Sequence, residues 1–123
     1  MERVEDSPNI AKDIRELRYR LSTERNKPLS QQRFSDLLGV SWSTVARWET
    51  GGRPDSEMLR KLDRLRRVLD ALGDMVRPEQ RLAFLEQEHP LLLKMRPIDL
   101  LGTEKGAVTV IRLLEGAESG AFA

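Results

Sequence analysis

A chain of 123 residues, 39% hydrophobic and 33% charged, is one domain or two very small ones, and it is long enough to fold unaided. It contains no cysteine, which excludes disulfides, zinc fingers and thiol catalysis and accords with a reducing cytoplasm. Its net charge of +1 argues against a general nucleic-acid coater, and without an apolar signal core or a run near membrane-span length the expectation is a soluble, cytoplasmic protein.

The patterning is helical throughout, with no sustained strand alternation, so the expected fold class is all-α. Ser7 and Pro8 supply a cap and a first-turn proline for a helix striped by Ile10, Ile14, Leu17 and Leu21. A polar turn over 22–29 follows. Ser30 then caps a second helix, with Leu29 placed to staple onto Phe34 and with Phe34, Leu37 and Leu38 as its apolar stripe. Gly39 stands where a left-handed residue ends that helix, Val40 packs into the bend, and Ser41 caps a third helix that buries Val45 and Trp48. Trp42, Ser43, Ala46 and Arg47 are left on the other side, where base edges lie when such a helix enters a major groove.

The stretch Gln31 to Pro54, QQRFSDLLGVSWSTVARWETGGRP, resembles the helix-turn-helix of phage repressor and Xre-type regulators. Gln31, Ser35, Gly39, Val40, Ser41, Thr44, Val45, Trp48, Glu49, Gly51 and Pro54 carry the resemblance. It implies phosphate contacts from Gln31 and Thr44 and base-reading positions at Trp42, Ser43 and Arg47. Arg47 is suited to a bidentate contact with guanine. Ser35 stands where the family usually has Ala, and Trp42 is far bulkier than the Gln or Arg often found at its position; it either stacks on a thymine methyl or closes the core. One short recognition helix buries too little for operator affinity, so a homodimer reading half-sites about 34 Å apart is expected.

After Pro54 a long helix is expected up to Leu72, with Leu59, Leu62, Leu65, Leu69 and Leu72 on its core face and Gly73 ending it. Arg60, Lys61, Arg64, Arg66 and Arg67 form either a solvated face laced by pairs such as Asp63 with Arg67 or a phosphate-contacting one. Residues 1–70 carry 15 Lys or Arg against 12 Asp or Glu, whereas 71–123 carry 6 against 8, so the reading half is the basic half. The expected division is a first domain over 1–72, holding the N-terminal helix and the motif at 30–54, and a small helical domain over 73–123.

In that second domain Pro78 opens a helix with Leu82, Ala83, Phe84 and Leu85, and His89-Pro90 breaks it. Leu91 to Leu93 make a short apolar turn, and Pro97 opens another short helix with Ile98, Leu100 and Leu101. Thr103 is placed to cap a last helix carrying Ala107, Val110, Ile111 and Leu114. So many apolar positions on such short helices suggest a surface for a protein partner.

Residues 74–123 resemble the toxin-binding domain of the Xre, MbcA and ParS family of antitoxins. The resemblance rests on Phe84-Leu85, Pro90-Leu91, Arg96-Pro97-Ile98-Asp99-Leu100-Leu101, Glu104-Lys105-Gly106-Ala107, and Leu113-Leu114 with Gly120 beyond. His89 departs from the family's usual Asn. What the resemblance implies is a type II antitoxin whose partner is a RES-domain toxin that consumes NAD, with the C-terminal helix and tail covering the toxin's nucleotide pocket. The implied toxin contacts are Pro90, Leu91, Arg96, Pro97, Leu100, Leu101, Leu113, Gly120, Phe122 and Ala123. The tail 116–123 would be the plug, with Phe122 its only large side chain. Leu91, Leu100, Leu101 and Leu113 also have a core reading, buried leucine being the common case.

An enzyme is not expected: no nucleophile has a base at a catalytic spacing, no glycine-rich phosphate loop is present, and the lone His89 cannot hold a metal. No cofactor is expected either. Two functions from different classes remain. One is an antitoxin that also binds operator DNA for autorepression; the other is a stand-alone helix-turn-helix regulator whose C-terminal half dimerises or senses a ligand.

Overall fold

The computed structural model describes residues 9–118, which form α-helices joined by short 3-10 segments and contain no β-strand. Contacts divide the chain into two compact units, Met1–Asp55 and Ser56–Ala123.

The first unit holds α1 (Ile10–Arg20), α2 (Gln31–Leu38) and α3 (Trp42–Trp48). Its boundaries follow from the caps. Ser30 Oγ accepts the Arg33 N–H at 3.1 Å, and Ser41 Oγ accepts the Thr44 N–H at 3.3 Å. Gly39 ends α2 at φ 75, a left-handed conformation that a Cβ-bearing residue adopts at a cost of about 1–2 kcal/mol. Ser7 and Pro8 lie outside the described residues, and within them α1 begins behind Asn9, whose side chain makes no cap bond.

Ile14, Leu17, Leu21, Leu29, Phe34, Leu37, Leu38, Val45 and Trp48 are buried, so the core of this unit matches the stripes, while Ile10 and Val40 are half-buried. Ser35, in place of the family's Ala, is fully buried but not orphaned: its hydroxyl donates to the Gln32 carbonyl at 2.7 Å. An ion pair crosses the unit. Arg18 donates from Nη1 to both Glu49 oxygens, at 3.0 and 2.8 Å, and from Nε to the Leu29 carbonyl at 2.6 Å. The two side chains are only 12% and 8% exposed, so this pair joins α1, the loop before α2 and the end of α3 in a place that water barely reaches.

The second unit holds α4 (Ser56–Leu72), α5 (Arg81–Glu86) and α6 (Glu104–Glu118). α4 packs on α6 and on the 3-10 segment Pro97–Gly102. Its Leu62, Leu65, Val68, Leu69 and Leu72 are buried, with Val68 added to the expected stripe and Leu59 only half-buried. By contacts α4 groups with the C-terminal unit, where α6 and the Pro97–Gly102 segment cover its apolar face.

The basic cluster on α4 is not uniformly solvated. Arg64 is buried, donates from Nη1 to the Leu101 carbonyl at 3.3 Å and lies with Nε 3.5 Å from Glu104. Arg67 grips Glu104 with two bonds of 2.9 and 2.7 Å, and this hydrogen-bonded guanidinium holds the Glu104 carboxyl below the usual carboxylate range. Arg66 pairs with Asp63 and, at 3.4 Å, with Asp70; the expected Asp63 to Arg67 pair lies at 3.8 Å. Partial burial lowers the pKa of Lys61, opposed by Asp99.

α6 is capped as its sequence predicts. Thr103 Oγ1 accepts the Gly106 N–H at 3.0 Å, and the Thr103 carbonyl accepts that of Ala107 at 3.1 Å. Ala107, Val110, Leu113 and Leu114 are buried. The helix runs to Glu118, so Gly116, expected to open the tail, is helical instead; one interior glycine costs only about 1 kcal/mol against alanine. Among the described residues no helix is long and apolar enough to cross a membrane.

Candidate functional site

The first candidate surface is the outer side of α3. Val45 and Trp48 turn into the core, and the residues left exposed on this helix are Trp42, Ser43 and Arg47, with Thr44 and Ala46 half-buried. Trp42 is 52% exposed, so of its two sequence readings the core one is not realised. The hydroxyls here are internally engaged: Ser41 Oγ lies 3.1 Å from Ser43 Oγ and 2.8 Å from Thr44 Oγ1. Gln31 is half-buried and donates one amide N–H to Glu49 at 3.1 Å. The five sequence-selected residues thus fall on one unit, with three on the open face and two at its edge.

The second candidate surface is the loop from His89 to Met95. The His89 N–H donates to the Met95 carbonyl at 3.1 Å, closing the loop, and the His89 carbonyl accepts from Leu92 and Lys94 at 2.9 and 3.0 Å. His89 Nδ1 accepts the Leu91 N–H at 3.1 Å, so the imidazole performs the capping that an Asn side chain would perform at this position. Leu93 and Lys94 both have positive φ, 58 and 64, a conformation unfavourable for such residues. Leu92 anchors the loop in the core, whereas Leu91, Leu93 and Met95 are 57%, 88% and 41% exposed.

The sequence-selected contacts of this half separate by burial. Pro90, Leu91 and Arg96 are exposed and Leu100 is half-buried. Pro97, Leu101 and Leu113 are core, which corrects their reading as surface contacts: they form the underside of the 3-10 segment and of α6. Arg96 is engaged by Asp99 through bonds of 2.8 and 2.7 Å, and its guanidinium holds the Asp99 carboxyl below the usual range. Gly120, Phe122 and Ala123 lie outside the described residues. Leu93 and Met95, not singled out from the sequence, stand exposed with Leu91 around the buried Leu92.

Comparison with known proteins shows the family. The helix-turn-helix family HTH_3 matches residues 25–72. The chain is 31% identical over 106 residues, 77% of its own length and 67% of the relative's, to the "Prs ADP-ribosylating antitoxin" of Sphingobium sp. (strain YBL2). Its fold is shared with a chain in the crystal structure of the M. tuberculosis MbcT-MbcA toxin-antitoxin complex, with a TM-score of 0.71 and 23% identity, covering 95% of this chain and 100% of that one. On this kinship the chain belongs to the Xre-type antitoxins, which carry a DNA-binding helix-turn-helix and are not enzymes.

Proposed function

We propose that this antitoxin neutralises a RES-domain, NAD-consuming toxin in the cytoplasm through the unit beginning at Ser56, and that it represses its own operon by binding operator DNA as a homodimer through α3. The observation that carries the first part is the His89–Met95 loop. A leucine that is 88% exposed at φ 58 is unfavourable both for its backbone and for its apolar surface, and such strain is retained where a partner uses it. Leu91, Leu93 and Met95 then supply the apolar contact, with Pro90, Arg96 and Leu100 beside it. Gly120, Phe122 and Ala123 are proposed to enter the toxin's nucleotide pocket and exclude NAD sterically.

Leu93→Asn tests this loop. Asparagine adopts the left-handed region readily, so the variant should be more stable by about 1 kcal/mol while binding the toxin at least about tenfold more weakly. Calorimetric titration with the toxin checks it, and undiminished affinity would take the loop out of the interface. A chain cut after Glu118 that still protects cells fully would refute the plug.

For the DNA part, Arg47 is exposed, and no side-chain partner engages it among the described residues. Arg47→Ala should lose about 1–3 kcal/mol of discrimination between the operator and a scrambled duplex, with toxin binding unchanged. A gel-shift titration that shows the same preference for both proteins would mean that another face reads the operator.

A further inference from the structure

α3 offers DNA an unusual combination of chemistries. Ser43 and Thr44 hydroxyls are both within hydrogen-bond distance of Ser41 Oγ, so the small polar groups of this face are tied to one another. Beside them stand the Arg47 guanidinium, a fork of donors, and the Trp42 indole, an apolar plate with a single N–H. The fold does not need the plate: Trp48, on the same helix, fills the core at 4% exposure, while Trp42 keeps 52% of its surface in water. Base edges in the major groove are donors and acceptors with one apolar exception, the C5 methyl group of thymine.

We propose that Trp42 reads the 5-methyl group of a pyrimidine in the major groove. The inference rests on the DNA-binding role proposed for α3 and sharpens it. Because the group recognised is the methyl and not the rest of the base, removing it from thymine, as in uracil, weakens binding, and adding it to a cytosine at the same step strengthens binding. Operator occupancy thereby becomes sensitive to cytosine methylation at that step.

The full chain is used to select sites from a pool of duplexes randomised over about 20 base pairs, made once with thymidine and once with deoxyuridine, and the winning duplexes are titrated by fluorescence anisotropy. The expected result is an affinity about fourfold lower for each contacted methyl that is removed, the worth of one buried methyl-sized group. Trp42→Ala should bind both duplexes alike, near the weaker level, and Trp42→Phe should keep part of the difference. Equal wild-type affinity for the two duplexes overturns the inference while leaving α3 as the reading helix. A Trp42→Ala loss that is the same on both duplexes also overturns it, as does a fall in the size of the free protein, which would assign the indole to a contact between copies. Failure of the wild-type chain to enrich any site defeats the DNA-binding role itself, and this inference with it.

Discussion

Gly106→Ala is expected to destabilise the second unit by about 3 kcal/mol or more, enough to lower its melting temperature by roughly 15 °C. A Cβ built on Gly106 would lie 1.9 Å from the Leu100 carbonyl oxygen and 2.8 Å from its carbon, so a backbone segment would have to move, and no side chain can rotate away to relieve it. The reason is the tight turn between the Pro97–Gly102 segment and α6, where Thr103 caps the helix and brings the first turn of α6 under the Leu100 carbonyl. Gly102→Ala is the control. Nothing lies within 4 Å of its Cβ position, and its stability should stay within about 0.5 kcal/mol of the parent. Thermal unfolding of the full-length variants decides the matter: near-parental melting for Gly106→Ala would show that the close approach is relaxed in solution. The same variant should fail to protect against the toxin, since the collapsed turn supports α6.

Glu49→Ala should cost about 3 kcal/mol in the first unit, far above the fraction of a kcal/mol typical of exposed pairs. The change strips Arg18 Nη1 and Gln31 Nε2 of their common acceptor and leaves a guanidinium that is 12% exposed without its countercharge. Operator binding should weaken with it, because Glu49 terminates α3 and Gln31 opens α2. Arg18→Met combined with Glu49→Leu is expected to recover most of the stability, apolar groups of similar volume being adequate replacements for a buried pair. Urea denaturation of the three proteins checks both statements, and a Glu49→Ala loss under about 1 kcal/mol would place the pair among ordinary surface contacts.

What could be read from the chain alone was local. Ser30, Gly39, Ser41 and Thr103 act within four residues of themselves, so the ends of α2, α3 and α6 needed only the spacing of caps and apolar stripes. Arg64 was illegible for the opposite reason: its carbonyl partner at Leu101 is 37 residues away, and nothing near it marks that oxygen as unsatisfied. In the candidate sites the difficulty was direction. Leu91 to Leu93 are identical in composition, yet a 3-10 turn sends Leu92 inward and its neighbours outward, while Leu101 and Leu113, equally apolar, close the core. At α3 the seven-residue helix was short enough for its angular pattern to separate Trp48 from Trp42, but Glu49 meets Gln31 and Arg18 from 18 and 31 residues away, which no local pattern marks.

The long helix α4 lies within the family match and yet packs in the second unit. The helix-turn-helix family claims it up to residue 72, whereas its apolar face is covered by α6 and the Pro97–Gly102 segment. A chain ended at residue 72 would bare Leu62, Leu65, Val68, Leu69 and Leu72 together, a loss on the order of 10 kcal/mol of burial. A helix-turn-helix piece cut at the end of the family match would therefore carry an uncovered apolar face, whereas a piece ended at Asp55 would not.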